Sequence, residues 1–251
     1  MEQLLRTIST PSPPLHLPLL TLSHSRPNPS QSDKSRVSRV RFRALSSSPS
    51  SPRMAATTET DFFPNARRRK IDPLWSGAGF SLGVDLGAAR TGLALGKGFA
   101  PPRPFNVLEL RGQKLELRLL EIAQEEEADE LIVGLPKSLD GKETPQSNKV
   151  RSIAGRLAVR AAERGLRVYL QDEHGTSIDA LNYMIDMGLK RSVRKVKSDA
   201  YSAMIVLERY FSMSGHGAEL VLPKQLELQE KLRMLSQEHA EYFEDTFPAD
   251  P

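Results

Sequence analysis

The order of strand and helix patterns between residues 80 and 214 constrains the fold of this chain more than any other feature. Three short apolar runs come first, at Phe80–Leu86, Thr91–Gly96 and Phe105–Leu110. The turn at Gly87–Arg90 predicts that the first two form a hairpin. A helical pattern over Lys114–Glu127 then leads to a continuous apolar run at Glu130–Leu135, typical of a buried parallel strand.

The same alternation continues to the end of this block. The remaining predicted elements are a helix from Thr144-Pro145 to Gly165, a strand over Arg167–Gln171, a helix from a capping box at Thr176–Asp179 through Met187, and a helix capped by Ser198 that ends at Phe211. Antiparallel strands followed by alternating helices and strands predict a layered α/β domain over residues 80–214.

The N-terminal segment differs sharply from this block in composition. Residues 1–53 carry a net charge of +6 and contain 13 serines and eight prolines. Such a segment buries too little apolar area to fold, so we expect it to be disordered. A Ser- and Arg-rich, acid-poor N-terminus is typical of an organelle transit peptide. We predict a chloroplast transit peptide. The alternatives are a mitochondrial one and a retained basic arm that contacts nucleic acid.

Two further segments flank the predicted domain. Residues 54–79 have the composition of a polar linker, with one basic run at residues 67–70. Residues 215–251 carry a net charge of −5 and contain apolar and aromatic residues at 4-3-4-3 spacing from Leu228 to Tyr242. This pattern predicts an acidic helix over Pro223–Asp245, which either packs on its own domain or binds a partner.

Composition excludes several classes of site. The chain has no cysteine, so a disulfide scaffold, a thiolate zinc site and a cysteine nucleophile are ruled out. No apolar run approaches the roughly 18–20 residues that a membrane span requires, and we expect no membrane partner. The overall net charge of +4 belongs to the N-terminal segment, since the rest of the chain is slightly acidic.

Three acidic positions interrupt the apolar segments of the predicted domain. Asp85 lies at the end of the first strand, Asp172-Glu173 end the fifth, and Asp199 shares the inward face of the last helix with Leu207. Each position alone also fits an ordinary turn, strand end or helix start. Sites in open α/β sheets form at the carboxyl ends of strands. Together the acids therefore predict a hard-oxygen site suited to Mg²⁺ or Mn²⁺.

A series of short motifs runs through the same block in order. The motifs are Gly83–Gly87 (GVDLG), Arg90–Ala94 (RTGLA), Ile132–Pro136 (IVGLP), Leu139–Gly141 (LDG), Asp172-Glu173, Ser198–Ala203 (SDAYSA) and Leu207–Phe211 (LERYF). The ordered set resembles the YqgF-type RNase H-like family, whose members are described as pre-16S rRNA nucleases and as Holliday junction resolvase-like. The resemblance implies an RNase H-like fold with a five-stranded mixed sheet flanked by helices.

The resemblance also implies an activity and its residues. It implies a metal-dependent endonuclease in which Asp85, Glu173 and Asp199 are both catalytic and metal-binding. We expect it to mature the 5′ end of precursor small-subunit rRNA, with ribosomal particles as a further partner. The alternatives are a nuclease that cleaves branched DNA such as a Holliday junction, and an RNA- or ribosome-binding protein without turnover. One departure is that the family usually continues the Asp-Glu pair with Arg, where this chain has His174.

Cationic contacts to the substrate phosphates are expected near the acids. The candidates are Arg90, Lys137, Lys142, Arg151, Arg194, Lys195 and Lys197. The last three belong to the basic run Lys190–Lys197, which we predict to be a loop that leads into Asp199. A solvated surface charge is the alternative reading of each candidate.

Overall fold

A six-stranded mixed sheet organises the part of the chain that the computed structural model describes, which is residue 62, residues 64–71 and residues 79–235. The elements are α1 (Asn65–Ile71), β1 (Phe80–Leu86), β2 (Thr91–Lys97), β3 (Arg103–Leu108), α2 (Gly112–Glu125), β4 (Ala128–Leu135), α3 (Pro145–Ala162), β5 (Arg167–Asp172), α4 (Thr176–Asp186), α5 (Arg191–Ser212), β6 (Glu219–Leu220) and α6 (residues 226–235). The predicted transit peptide lies outside the described residues.

Strand pairing confirms the predicted α/β architecture. The order across the sheet is β3-β2-β1-β4-β5-β6. The first three strands pair antiparallel as a meander, and β1, β4 and β5 pair parallel. The carboxyl ends of β1, β4 and β5 therefore lie at one edge of the sheet, where binding sites form in open α/β sheets.

Alternation along the strands divides the core into two layers. Leu82 and Val84 of β1 pack in the layer beneath α2 and α3, whereas Ile132 of β4 packs in the layer beneath α5. Successive side chains of a strand point to opposite faces. Asp85 is therefore on the opposite face from Val84, the face that α5 covers. The same alternation directs Glu173, one residue beyond β5, to that face.

Helix α5 approaches the sheet unusually closely. A Cβ built on Gly83 of β1 would lie 2.6 Å from Leu207 Cγ and 2.9 Å from the Ala203 carbonyl oxygen. A Cβ on Gly96 of β2 would lie 2.5 Å from the Phe211 ring. Glycine at these strand positions lets the helix backbone lie against the sheet, which brings residues of α5 within reach of Asp85.

The predicted linker differs from the structure at residues 65–71, which form α1. Asn65 is fully buried, and its backbone N–H donates to Glu130 Oε2 at 3.1 Å. Glu130 also accepts from Ser81 Oγ and from the Tyr210 hydroxyl, each at 2.7 Å. The buried Arg167 guanidinium lies 3.5 Å from Glu130 and donates to Asn65 Oδ1 at 3.1 Å. These partners come from distant parts of the chain, so local composition gave no sign of the helix.

One predicted helix cap and one predicted helix start are wrong, although α4 begins at Thr176 as predicted. Helix α4 is capped by the left-handed Gly175 (φ 73°) rather than by a Thr176–Asp179 capping box. Helix α5 begins at Arg191 rather than at Ser198, so the basic run is helical and not a loop. The run contains no glycine or proline to break a helix. Asp199 consequently lies in the third turn of α5, away from the helix dipole's N-terminal end.

The chain beyond α5 packs on the same domain. The sheet has six strands rather than the predicted five, because Leu220 and Glu219 pair with Tyr169 and Leu170 of β5. A strand of two residues carries no alternation that a sequence reading could detect. Leu232 of α6 is buried in the core layer beneath α5, which confirms the reading of an appended helix that packs on its own domain. The later helix positions, including Tyr242, lie outside the described residues.

Within the described residues, no helix is both long enough and apolar enough to cross a membrane.

Candidate active site

Two of the predicted acids meet at the carboxyl edge of the parallel strands. Asp85 is the penultimate residue of β1 and pairs with Gly92 of β2. Glu173 follows β5, and its backbone N–H donates to the Leu135 carbonyl at the end of β4 at 3.2 Å. Strand β4 lies between β1 and β5, and the Glu173 side chain extends over Gly134 of β4. The negative charge of Asp85 contributes to the raised pKa of Glu173.

Two glycines make the space in which these acids lie. A Cβ on Gly134 of β4 would lie 1.9 Å from Glu173 Oε2. A Cβ on Gly92 would lie 1.9 Å from the Asp199 carbonyl oxygen. Both glycines belong to the motifs noted in the sequence, in IVGLP and RTGLA. Their role was not predicted, because it depends on elements that pack against them from elsewhere in the chain.

The surroundings of the Asp85 carboxyl disfavour its negative charge. Burial, and secondarily the charge of Asp199, raise the pKa of Asp85 to about 6, while a hydrogen bond with Ser202 opposes the rise. Sequence reasoning missed Ser202. Its spacing of three residues from Asp199 on α5 was the available signal, since residues three apart share a helix face.

The pKa of Glu173 is raised further than that of Asp85. Burial, then the charge of Asp85 and that of Asp172, raise the pKa of Glu173 to about 8. Within the described part of the chain, its Oε2 is buried and has no hydrogen-bond partner. A carboxylate oxygen left without a proton donor or cation in such a place is costly. The arrangement therefore favours either a bound proton or a bound cation.

Asp199 joins the site from α5 but is already paired. Its Oδ2 lies 2.9 Å from Arg90 Nε in the β1–β2 turn, and its Oδ1 accepts from Ser198 Oγ at 3.0 Å. Arg90 also donates to the Lys195 carbonyl at 3.4 Å. The predicted phosphate ligand Arg90 is therefore at the site, but as the ion-pair partner of one of the predicted metal ligands.

The donor chemistry of the three acids fits a hard divalent cation. All three supply carboxylate oxygens, which Mg²⁺ and Mn²⁺ prefer, and the unsatisfied Glu173 Oε2 is an oxygen in need of a cation. Among the residues that the structure describes, no three acidic, histidine or cysteine side chains converge closely enough to form a ready-made metal site. The Arg90–Asp199 ion pair is consistent with this, because Asp199 must leave Arg90 to become a third ligand.

The predicted lysine contacts flank the acids. Lys137 Nζ lies 3.1 Å from Asp172 Oδ2, and its carbonyl lies 3.3 Å from His174 Nδ1. The backbone N–H of His174 donates to Asp172 Oδ1 at 2.8 Å. His174, which stands where the family usually has Arg, therefore helps to connect the Glu173 turn to the loop after β4. Lys142 is far more exposed and pairs with Asp140 at 2.7 Å.

Arg151 has a different set of partners. Its guanidinium bonds Glu143 and also Glu219, with Nη1 and Nη2 each 2.7 Å from a Glu219 oxygen. These bonds connect α3 to β6 and to the loop before α3. They give Arg151 a structural role, and its predicted contact with substrate stays a prediction.

The basic run forms the first two turns of α5. Lys195 and Lys197 are exposed, whereas Arg194 Nη1 donates to the Leu189 carbonyl at 2.6 Å and helps to connect α4 to α5. Positive charge at a helix N-terminus opposes the helix dipole and costs about 0.3–1 kcal/mol per group. An anionic ligand on this end of α5 would offset that cost.

Known proteins are similar to this chain in sequence. Residues 79–213 match the family model described as "RuvX: Holliday junction resolvase". A Cronobacter sakazakii protein named "Putative pre-16S rRNA nuclease" is 32% identical over 140 residues, which cover 55% of this chain and 99% of that protein. The protein of the same name from Escherichia coli O7:K1 is 33% identical over 136 residues, covering 53% and 96%.

Solved structures similar to this chain include RuvC of Thermus thermophilus. It is 20% identical with a TM-score of 0.38, and the match covers 56% of this chain and 99% of that one. The same protein in complex with a Holliday junction substrate gives a TM-score of 0.41. The family model covers more than half of the chain and includes all three site acids, and the chain therefore belongs to the RuvX family of nucleases.

Proposed function

We propose that this protein is a divalent-metal-dependent endonuclease that matures the 5′ end of precursor small-subunit rRNA. The observation that carries the proposal is the pair Asp85 and Glu173, two half-buried carboxyls at one edge of the sheet whose pKa values are raised and of which Glu173 Oε2 is buried and unsatisfied. Family membership supports the nuclease chemistry, and the names of the relatives support rRNA as the substrate.

The three acids have distinct roles in this proposal. Asp85 and Glu173 would hold the cation, and Asp199 would complete the set after separating from Arg90. Mg²⁺ or Mn²⁺ bound there would supply Lewis-acid activation of water and charge neutralisation at the phosphodiester. Once released, the Arg90 guanidinium would be free to bind a substrate phosphate, which its planar donors fit well.

A direct substrate comparison tests this proposal. Protein beginning at Met54 is incubated with Mg²⁺ and either a 5′-extended small-subunit rRNA precursor or a four-way DNA junction. We expect cleavage of the rRNA at a defined 5′ site, and no cleavage by Asp85→Asn. The exposed Glu163 lies away from the acids, so Glu163→Gln is the control and should cleave like the wild type.

The other outcomes identify the alternatives. The description of the matching family model as a Holliday junction resolvase favours branched DNA as the second candidate substrate. Cleavage of the junction but not of the rRNA would replace the proposed substrate with DNA. Binding of rRNA without cleavage of either substrate would indicate a non-catalytic RNA- or ribosome-binding protein.

We also propose that residues 1–53 direct the protein to the chloroplast. The support is their composition, with a net charge of +6 and 13 serines. A fluorescent protein fused behind residues 1–53 should accumulate in plastids of plant cells. Retention in the cytosol, or import into mitochondria, would contradict the proposal.

A further inference from the structure

A groove lies between the edge strand β3 and the basic end of α5, and Lys197 is the one residue of its lining that was predicted above to contact substrate. It has a volume of about 230 Å³ and is lined by Pro104, Phe105, Asn106, Val107, Val196, Lys197 and Ala200. Sites for drug-sized ligands measure roughly 300–1,000 Å³. The groove is therefore suited to one flat group rather than to a large ligand.

A β-bulge shapes this groove. Leu93 of β2 pairs with Asn106, whereas the next residue, Ala94, pairs with Pro104, which leaves Phe105 as the extra residue. In a regular strand, successive side chains would point to opposite faces. Bulges redirect side chains and are frequent at sheet edges and beside active sites. The bulge explains how consecutive residues of β3 can line one groove, with the Phe105 side chain 36% exposed.

The lining combines the groups that bind an unpaired base. Phe105 supplies an aromatic face for stacking. The Asn106 side-chain oxygen accepts from the Val107 backbone N–H at 2.8 Å, which directs the amide NH₂ of Asn106 away from that bond and toward solvent. Lys197 supplies a cation at the groove wall, and Lys195 adds a second exposed charge on the same end of α5.

The sheet register sets the distance from this groove to the acids. Asp85 of β1 pairs with Gly92 of β2, and Gly92 pairs with Val107 of β3, so the three lie in one row across the sheet. With strands about 4.8 Å apart, Val107 lies roughly 10 Å from Asp85. Stacked nucleotides are spaced by about 3.4 Å. A base in the groove would then belong to a nucleotide within about three positions of the cleaved bond.

We propose that this groove binds one unpaired base of the substrate strand, stacked on Phe105, with a neighbouring phosphate at Lys197. This inference rests on the proposed nuclease function and deepens it, because the enzyme would then recognise an unpaired nucleotide close to the cleavage site. A nuclease of this kind would favour a substrate whose strand is unpaired beside the bond that it cuts.

The test measures binding without cleavage. In the Asp85→Asn background with EDTA, the affinity for a labelled single-stranded RNA 12-mer is compared between Phe105→Ala and Phe99→Ala. Phe99 is the matched control, since it is 55% exposed in the turn before β3 but does not line the groove. We expect Phe105→Ala to weaken binding by about 5- to 100-fold, and Phe99→Ala to change it less than twofold. Phe105→Trp should restore binding.

A second variant, a duplex control and the oligomeric state test the same inference. Phe105→Leu keeps an apolar side chain at the bulge, and it should still weaken single-strand binding while unfolding at the wild-type temperature. The perfectly paired RNA duplex should bind Phe105→Ala and the background protein equally. Equal single-strand affinity of Phe105→Ala and Phe99→Ala would overturn the inference, as would a change in oligomeric state on substituting Phe105, which would assign the groove to a protein partner.

The result of the Phe105 binding test can be distinguished from the result of the rRNA cleavage test. If wild-type protein cleaves the rRNA precursor but Phe105 does not affect binding, only the base groove is wrong. If Phe105 governs single-strand binding but no substrate is cleaved, the nuclease proposal fails and the groove stands as a nucleic-acid site.

Discussion

Glu173→Gln should change how the stability of the metal-free protein depends on pH. Burial and the neighbouring negative charges raise the pKa of Glu173 from 4.5 to about 8. The folded protein therefore retains a proton that the unfolded chain releases between these two values. Glu173 contributes stability that is fully present below pH 4.5 and is lost as the pH rises through about 8. Glutamine does not titrate, so the variant lacks this loss.

The size of the effect follows from the shift. At 1.36 kcal/mol per pK unit, the change from 4.5 to about 8 amounts to about 5 kcal/mol for the fully ionised group. Between pH 5 and pH 8 the difference is smaller, because the unfolded chain is already partly ionised at pH 5 and the folded group is half ionised at pH 8. We expect the wild type to lose about 3 kcal/mol of unfolding free energy relative to Glu173→Gln over this range.

Urea unfolding in EDTA at pH 5, 6, 7 and 8 measures this difference directly. Glu143→Gln is the control of opposite sign, because the hydrogen bond from Arg151 lowers the pKa of Glu143 and Glu143 is not among the groups that shift Glu173. That variant should lose stability relative to the wild type above pH 4. Adding Mg²⁺ should reduce the pH dependence of the wild type, since a bound cation favours the ionised form. A difference between the wild type and Glu173→Gln that stays constant from pH 5 to 8 would refute the reasoning.

Three other substitutions test the site and its support. Arg90→Gln releases Asp199 from its 2.9 Å ion pair and should tighten Mn²⁺ binding by about fivefold in calorimetry; weaker binding would show that Arg90 does not compete with the metal. Gly134→Ala forces the Glu173 carboxyl from its place and should reduce cleavage by about 10²-fold, whereas Gly155→Ala, with nothing within 4 Å of the added Cβ, should leave cleavage unchanged. Glu130→Gln removes the buried carboxylate that faces Arg167 and should lower the unfolding free energy by about 3–5 kcal/mol. Glu116→Gln should cost only about 1 kcal/mol, because its partner Arg156 is half exposed, and equal losses would contradict the assigned role of Glu130.

Local patterns in the sequence predicted the parts of the fold that they control. The apolar runs predicted the strands β1 to β5. The Thr144-Pro145 pair predicted the start of α3, where Thr144 and Ser147 form a capping box. The site acids were predictable only as a set, because each one alone fits an ordinary turn, strand end or helix start, whereas three carboxylates among apolar segments at one sheet edge indicate a site. The alternation along β1 then determines that Asp85 faces α5.

The missed features depend on contacts between distant segments. Helix α1 is held by Glu130 and Arg167, more than 60 and 100 residues away, so its sequence looks like a polar linker. The start of α5 was misplaced because a helix-forming basic run and a solvated loop have the same composition. The Arg90–Asp199 ion pair and the bulge at Phe105 arise from strand register, which no single-segment pattern reveals.

The central proposal is that the half-buried acids on the α5 face perform metal-dependent phosphodiester cleavage. Single-turnover cleavage of the rRNA precursor against Mg²⁺ concentration, for protein beginning at Met54 and for Asp85→Asn, tests it most directly. We expect a saturable Mg²⁺ dependence in the wild type, and loss of cleavage by at least about 10³-fold in the variant at every Mg²⁺ concentration. Cleavage that persists in EDTA, or an Asp85→Asn protein that cleaves at the wild-type rate, would contradict it.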